Sequence, residues 1–170
     1  MAQFREINPL DITENAFRLI GKDWMLVTAG NSTKLNTMTA SWGGVGVLWN
    51  KNVAFSFIRP QRYTLEFIDQ NEYYTLSFLQ DGYRDTLTFC GRNSGRDVDK
   101  IKEKKLTPVF DENAPYFEQA KLVLVCKKLY KQAMTPDSFI DKALIEKNYP
   151  DNDFHYAFVG EIVKVLIKDV

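Results

Sequence analysis

Runs of apolar and polar residues change period along this chain, and each change predicts an element. Val53-Ala54-Phe55-Ser56-Phe57-Ile58 is nearly continuous in apolar side chains, the pattern of a strand covered on both faces. Lys121–Tyr130 and Tyr156–Ile167, the latter around Gly160, alternate apolar with charged residues, which predicts two strands with one solvated face each. Trp24–Ala29, with Gly30-Asn31-Ser32 as its turn, and Tyr73–Leu79 read as further strands. A strand over Thr37–Trp42 relaxes through Gly43, Gly44 and Gly46 and resumes at Val47-Leu48-Trp49. Those glycines suggest a bulge, or backbone kept open for a ligand. Asn50-Lys51-Asn52 predicts the turn that follows.

Helical signals are shorter. Asp11-Ile12-Thr13-Glu14 has the form of a capping box ahead of Ala16, Phe17, Leu19 and Ile20, with Gly21 as the stop. Pro60 suits the first turn of a helix whose apolar stripe is Leu65, Phe67 and Ile68. Tyr83–Cys90 predicts a helix cut by Gly91, and Ser94 with Asp97 three residues on predicts the start of another. Many strands with short inserted helices favour a mainly β (α+β) fold, a small barrel or sheet, over a doubly wound one. At 170 residues, the expectation is a single domain over 1–170.

Charge and composition narrow the partners. Lysine plus arginine and aspartate plus glutamate both number 22, so bulk electrostatics disfavour nucleic acid. The 14% of aromatic residues fit sheets and a ring-binding or subunit surface. Cys90 and Cys126 have no zinc-type spacing and read most simply as thiols of a reducing compartment. Residues 1–6 lack the apolar core of a signal peptide, and no apolar run approaches the about 20 residues of a membrane helix. The expectation is a cytoplasmic protein with no membrane partner.

Three segments carry candidate chemistry. In Asn36-Thr37-Met38-Thr39-Ala40-Ser41-Trp42, alternation sends Thr37, Thr39 and Ser41 to one face and Met38, Ala40 and Trp42 to the other. Small side chains let the backbone approach a flat ring, although an amphipathic strand with its polar face in water has the same pattern. Arg59 and Arg62 flank Pro60 at a strand-to-helix junction with the Thr64 hydroxyl nearby, a set suited to phosphate; the alternative is a pair of solvated arginines. Ser94, Arg96 and Lys100 suit phosphate or ribityl oxygens, or mark only a helix start.

His155, the sole histidine, excludes a multi-histidine metal site. It is suited to a hydrogen bond with a nicotinamide, a flavin or a substrate oxygen, or to a structural one. Cys90 beside Leu87, Thr88 and Phe89 reads as a small buried hydrophobe more readily than as a nucleophile paired with His155. No Gly-x-Gly-x-x-Gly and no phosphate-binding Gly-x-x-x-x-Gly-Lys loop is present, which argues against a Rossmann site or an NTPase. Together the segments suggest a phosphorylated ring cofactor.

Asn36–Trp42, Arg59-Pro60-Gln61-Arg62-Tyr63-Thr64 and Ser94-Gly95-Arg96-Asp97-Val98-Asp99-Lys100, in that order, resemble the flavin reductase-like, FMN-binding split-barrel family, especially its flavoredoxin-like branch, over roughly residues 15–165. The resemblance implies a six-stranded split β-barrel of Greek-key-like order that forms a homodimer and binds FMN near the subunit interface. It implies that Asn36, Thr37, Met38, Thr39, Ala40, Ser41 and Trp42 line the isoalloxazine. Arg59, Arg62, Tyr63 and Thr64 would bind the ribityl phosphate end, with Ser94, Arg96 and Lys100 completing it, and His155 would approach the flavin or nicotinamide. The implied activity is flavin reduction, with hydride passing from NAD(P)H to flavin N5 and onward transfer to a partner oxygenase or other electron-accepting protein. The alternatives are a flavoredoxin-type FMN electron carrier with little NAD(P)H oxidation and a non-catalytic flavin-binding module.

Overall fold

A computed structural model describes residues 3–110 and 114–169. Its strands are β1 (Phe4–Ile7), β2 (Met25–Gly30), β3 (Leu35–Ala40), β4 (Gly43–Leu48), β5 (Lys51–Ile58), β6 (Tyr73–Leu79), β7 (Pro108–Phe110), β8 (Pro115–Phe117), β9 (Ala120–Ala133) and β10 (Tyr156–Lys168). Short helices α1 (Ala16–Arg18), α2 (Thr64–Gln70), α3 (Arg84–Arg92), α4 (Lys100–Glu103) and α5 (Ala143–Asn148) lie between them.

The main sheet runs β3-β2-β6-β9-β10-β5-β4, with β1 added on β10 and all its pairings antiparallel. Laid flat, seven strands at about 4.8 Å spacing would hold the two edges about 29 Å apart. Yet β3 and β4 are joined by Ser41 and Trp42 alone, which span no more than about 11 Å from Ala40 to Gly43. The sheet must therefore curl until its edges meet at that corner, giving a barrel that stays split between β3 and β4. Seven strands follow this path rather than six. The step from β5 to β6 passes over two positions that β10 and β9 later fill, a Greek-key-like order.

Period-two alternation sorts the strands' side chains between two apolar layers. Met25, Val27 and Ala29 of β2 join Met38, Leu122, Leu124 and Cys126 inside the barrel. Leu26 faces the other way with Val123, Val125, Leu87 and Cys90. Both faces of Leu122–Cys126 are thus buried, contrary to the expectation of one solvated face, because α3, α4 and the β7–β8 hairpin cover the outer side. No helix among the described residues is long and apolar enough to cross a membrane.

Several local signals resolve differently from the expectation. Asn15, not the Asp11–Glu14 box, caps α1, its Oδ1 accepting from the Arg18 amide at 3.1 Å. The coil continues past Gly21 as a π-helical turn over Leu19–Asp23, burying Leu19 and Ile20 but leaving Phe17 exposed. Gly91 does not end α3, which runs on to Arg92, and a Cβ at Gly91 would meet Thr39 Cβ at an ordinary contact distance of 3.4 Å. Ser94 opens only turns, and the next helix starts at Lys100 under an Asp99 cap. The glycines of β4 stay in register with β5, while register breaks in β10 beside Gly160. The hairpin turn is Trp49-Asn50, both at positive φ, the two-residue geometry that matches strand twist.

Candidate functional site

At the corner where β3 passes into β4, the split opens a cavity of about 390 Å³ bounded by Met38–Trp42, Phe57, Arg59, Gln61, Arg62 and His155. A smaller one of about 170 Å³ shares Met38, Gln61 and Arg62 with it and continues to Tyr63, Thr64, Arg92, Asn93, Ser94, Gly95 and Lys100.

Met38–Ala40 of β3 and the Ser41-Trp42 corner reach the larger cavity, whereas Thr37 points into the protein and Asn36, though buried, borders a separate cavity with Tyr63, Arg96 and Lys100. Thr37 Oγ1 lies 2.8 Å from Thr28 Oγ1, and Asn36 Nδ2 donates to Thr64 Oγ1 at 2.8 Å. Thr39 Oγ1 donates to the Leu87 carbonyl. Of the strand's polar face, Thr37 is thus covered by protein, whereas Thr39 and Ser41 are half-buried at the cavity. Trp42 stays half exposed, its ring 5.4 Å from that of His155.

The two arginines of the strand-to-helix junction do different work. Arg59 pairs with Asp153 at 2.7 Å, donates to the Asn148 carbonyl and lies 5.0 Å from the Tyr149 ring centre, tying the end of β5 to the segment before β10. Gln61 donates to the same Asp153 oxygen, and these bonds, Gln61's first, hold that carboxyl below its usual range. Arg62 donates to the carbonyls of Gly91 and Thr39, bracing α3 against β3. Arg96 pairs with Glu66, donates to the Gln61 carbonyl and stacks over Tyr63, outside the larger and smaller cavities.

Lys100 is buried, with Nζ donating to the Cys90 carbonyl at 3.1 Å. Among the described residues neither it nor Arg62 has a carboxylate partner. Burial above all, and then the Arg62 charge, push Lys100 down to about 8 despite the opposing Cys90 thiol. Burial, then Arg59, likewise lowers Arg62. The smaller cavity thus gathers Arg62, Arg92 and Lys100 with the hydroxyl residues Thr64 and Ser94 and no carboxylate. Uncompensated buried charge of this kind is relieved by an anion, and the donor set suits a phosphate.

His155 lies at the other end, its Nδ1 2.7 Å from Tyr149 Oη. Burial foremost, then Arg59, lowers it to about 4 against a weaker pull from Asp153, so the ring is neutral at neutral pH. Cys90 is fully buried in the outer apolar layer and burial raises its thiol, the reverse of an activated nucleophile.

A sequence model of the flavin reductase like domain matches residues 17–169. The chain belongs to the flavin reductase-like family. Its fold is similar to the FMN-binding domain of a flavin reductase-like enzyme from Shewanella baltica OS155, at TM-score 0.70 and 16% identity over 98% of this chain and 78% of that one. Flavoredoxin from Methanosarcina acetivorans matches at 0.65 and 24%, covering 94% and 75%. The NADH:FAD oxidoreductase of Streptomyces globisporus C-1027, in complex with NAD and FAD fragments, matches at 0.63 and 17%, covering 86% and 77%. A comparison with curated protein sequences finds no match.

In this flavin reductase-like domain the cavities also use residues the sequence did not single out. Arg92 and Asn93 directly precede Ser94, and Gln61 lies inside the Arg59–Thr64 motif, so adjacency to those motifs was the available signal. Phe57 had none, since it reaches the site through the barrel's curl, and Tyr149, which touches His155 from outside both cavities, had none either.

Proposed function

We propose that the protein is an FMN-binding flavin reductase that oxidises NAD(P)H, acting as one domain over residues 1–170 within a cytoplasmic homodimer. The observation that carries this reading is the smaller cavity, where Arg62, Arg92 and Lys100 meet hydroxyl residues without a carboxylate and open onto the larger cavity beside β3. Thr64, Ser94, Arg62 and Lys100 would hold the phosphate, and Met38–Trp42 the ring. Asn36 and Thr37 act behind them, by fixing β3. When bound, FMN would supply the hydride-accepting redox chemistry that no side chain here offers. Arg59 holds Asp153 and with it the segment that carries His155, and His155 keeps a neutral hydrogen-bonding ring at the cavity. No Rossmann motif is present, so the nicotinamide would share this open cavity.

Visible spectra of the purified protein, with FMN titration and steady-state oxidation of NADH and NADPH, test the reading. Bound flavin together with nucleotide oxidation is the expected result. Bound flavin without oxidation would make the protein a flavoredoxin-type carrier serving an electron-accepting protein, and no flavin binding would overturn the reading.

A further inference from the structure

The Tyr149 hydroxyl has one proton and two acceptors within reach, His155 Nδ1 at 2.7 Å and Met134 Sδ at 3.7 Å. An imidazole nitrogen is a far stronger acceptor than a thioether, so the proton goes to Nδ1. Among the described residues the Tyr149 hydroxyl has no other hydrogen-bond partner. Arg59 and Arg62 disfavour the imidazolium, and the Asp153 oxygen that accepts hydrogen bonds is taken by Arg59 and Gln61. The remaining Asp153 oxygen, Oδ1, is buried without a partner.

The tyrosine is itself held firmly. Its ring stacks on Phe154 at 4.8 Å, meets Phe139 edge-on at 5.8 Å and lies under the Arg59 guanidinium. Its amide donates to the Ile145 carbonyl at 2.8 Å, fixing it at the end of α5. From the other side, the Met134 amide donates to the His155 carbonyl at 2.9 Å.

We infer that Tyr149 is a positioning residue that locks His155 as the Nε2–H tautomer, so that the imidazole presents a hydrogen-bond donor, not a lone pair, to the cavity beside Trp42 and Phe57. A donor there stabilises negative charge on a bound ring or acceptor and selects against ligands that offer a proton at that place. The role of this donor rests on the flavin reading above. The tautomer itself does not.

Because His155 is the only histidine, long-range proton–nitrogen NMR on tag-free protein reports its tautomer without assignment ambiguity. Flavin-free wild type at neutral pH should show only the Nε2–H form. Tyr149→Phe should lose that exclusivity, while Met134→Leu should keep it. An Nδ1–H form in the wild type, an unchanged tautomer in Tyr149→Phe, or a change in Met134→Leu would each overturn the inference. In protein saturated with FMN, the Nε2 resonance should shift in the wild type, and Tyr149→Phe should slow flavin reduction at least tenfold with FMN affinity retained. A bound flavin that leaves Nε2 unmoved would overturn the donor role. Failure of FMN to bind would sink the flavin reading alone, with the tautomer decided by the flavin-free spectra.

Discussion

Asn36 Nδ2 donates to Thr64 Oγ1 across 2.8 Å, joining the sheet's edge strand to the first residue of α2 behind the smaller cavity. Gly95 lies against this pair so closely that a Cβ there would stand 2.0 Å from Asn36 Oδ1 and 3.1 Å from the Tyr63 ring. Gly95→Ala should therefore push Asn36 off Thr64, with a stability cost of about 1–3 kcal/mol and a measurable loss of FMN affinity. Urea denaturation and flavin titration check both, and an unchanged variant would show that the approach is relaxed at no cost.

Arg62→Ala should weaken FMN more than riboflavin, since only FMN carries the phosphate. Losing one charge-assisted contact costs about 1.5–3 kcal/mol, roughly a 10- to 100-fold weaker complex. Because Arg62 also braces α3 against β3, some loss with riboflavin is expected. Equal loss with both ligands would limit its role to that brace.

FMN affinity should fall as pH rises through about 8, where Lys100 loses its proton in the ligand-free protein. Binding a phosphate favours the charged amine, so the affinity is fully present below that value and declines toward the higher pKa of the complex. Fluorescence titrations across this window should show the slope in wild type and a flat profile in Lys100→Met. A slope surviving in the variant would assign it to another group.

Folding stability should drop on acidification partly through His155. Its folded value of about 4 lies below the ordinary 6.5, so the unfolded chain takes up the proton first and stability is lost as pH falls from about 6.5 toward 4. His155→Gln should shrink the fall in denaturation midpoint between those values. An identical fall would move the effect to the carboxylates.

Assembly should centre on β4, an open edge strand that leaves Val45 and Val47 exposed, flanked by Phe17, Trp42 and Trp49. A homodimer with more than about 2,000 Å² buried is the expected state, and Val47→Lys should yield monomer by light scattering. A wild-type monomer at micromolar concentration with FMN bound would refute this.

Chain-neighbour patterns alone determined much of the barrel. Val53–Ile58 and Tyr73–Leu79 form strands within β5 and β6 because period-two side-chain direction is a property of adjacent residues, and the apolar stripe of Leu65, Phe67 and Ile68 is buried as the helical repeat requires. The three motifs that mark the family are likewise contiguous, and each could be read without knowing what faces it. Only the tertiary structure decided what those faces meet. Lys121, Lys127 and Lys128 made β9 look half solvated, yet the outer layer buries Val123 and Val125. Thr37 and Thr39 looked like a polar surface, yet a neighbouring strand covers Thr37 and a helix carbonyl accepts from Thr39. Arg59 finds Asp153 at a separation of 94 residues, and Arg62 of the strand-to-helix junction reaches the Gly91 carbonyl 29 residues on. The physical reason is the curl of the sheet: a two-residue corner between its opposite edges brings β3, β5 and the start of β10 around one opening. No local pattern encodes such a meeting, because its energy lies in contacts between residues far apart along the chain.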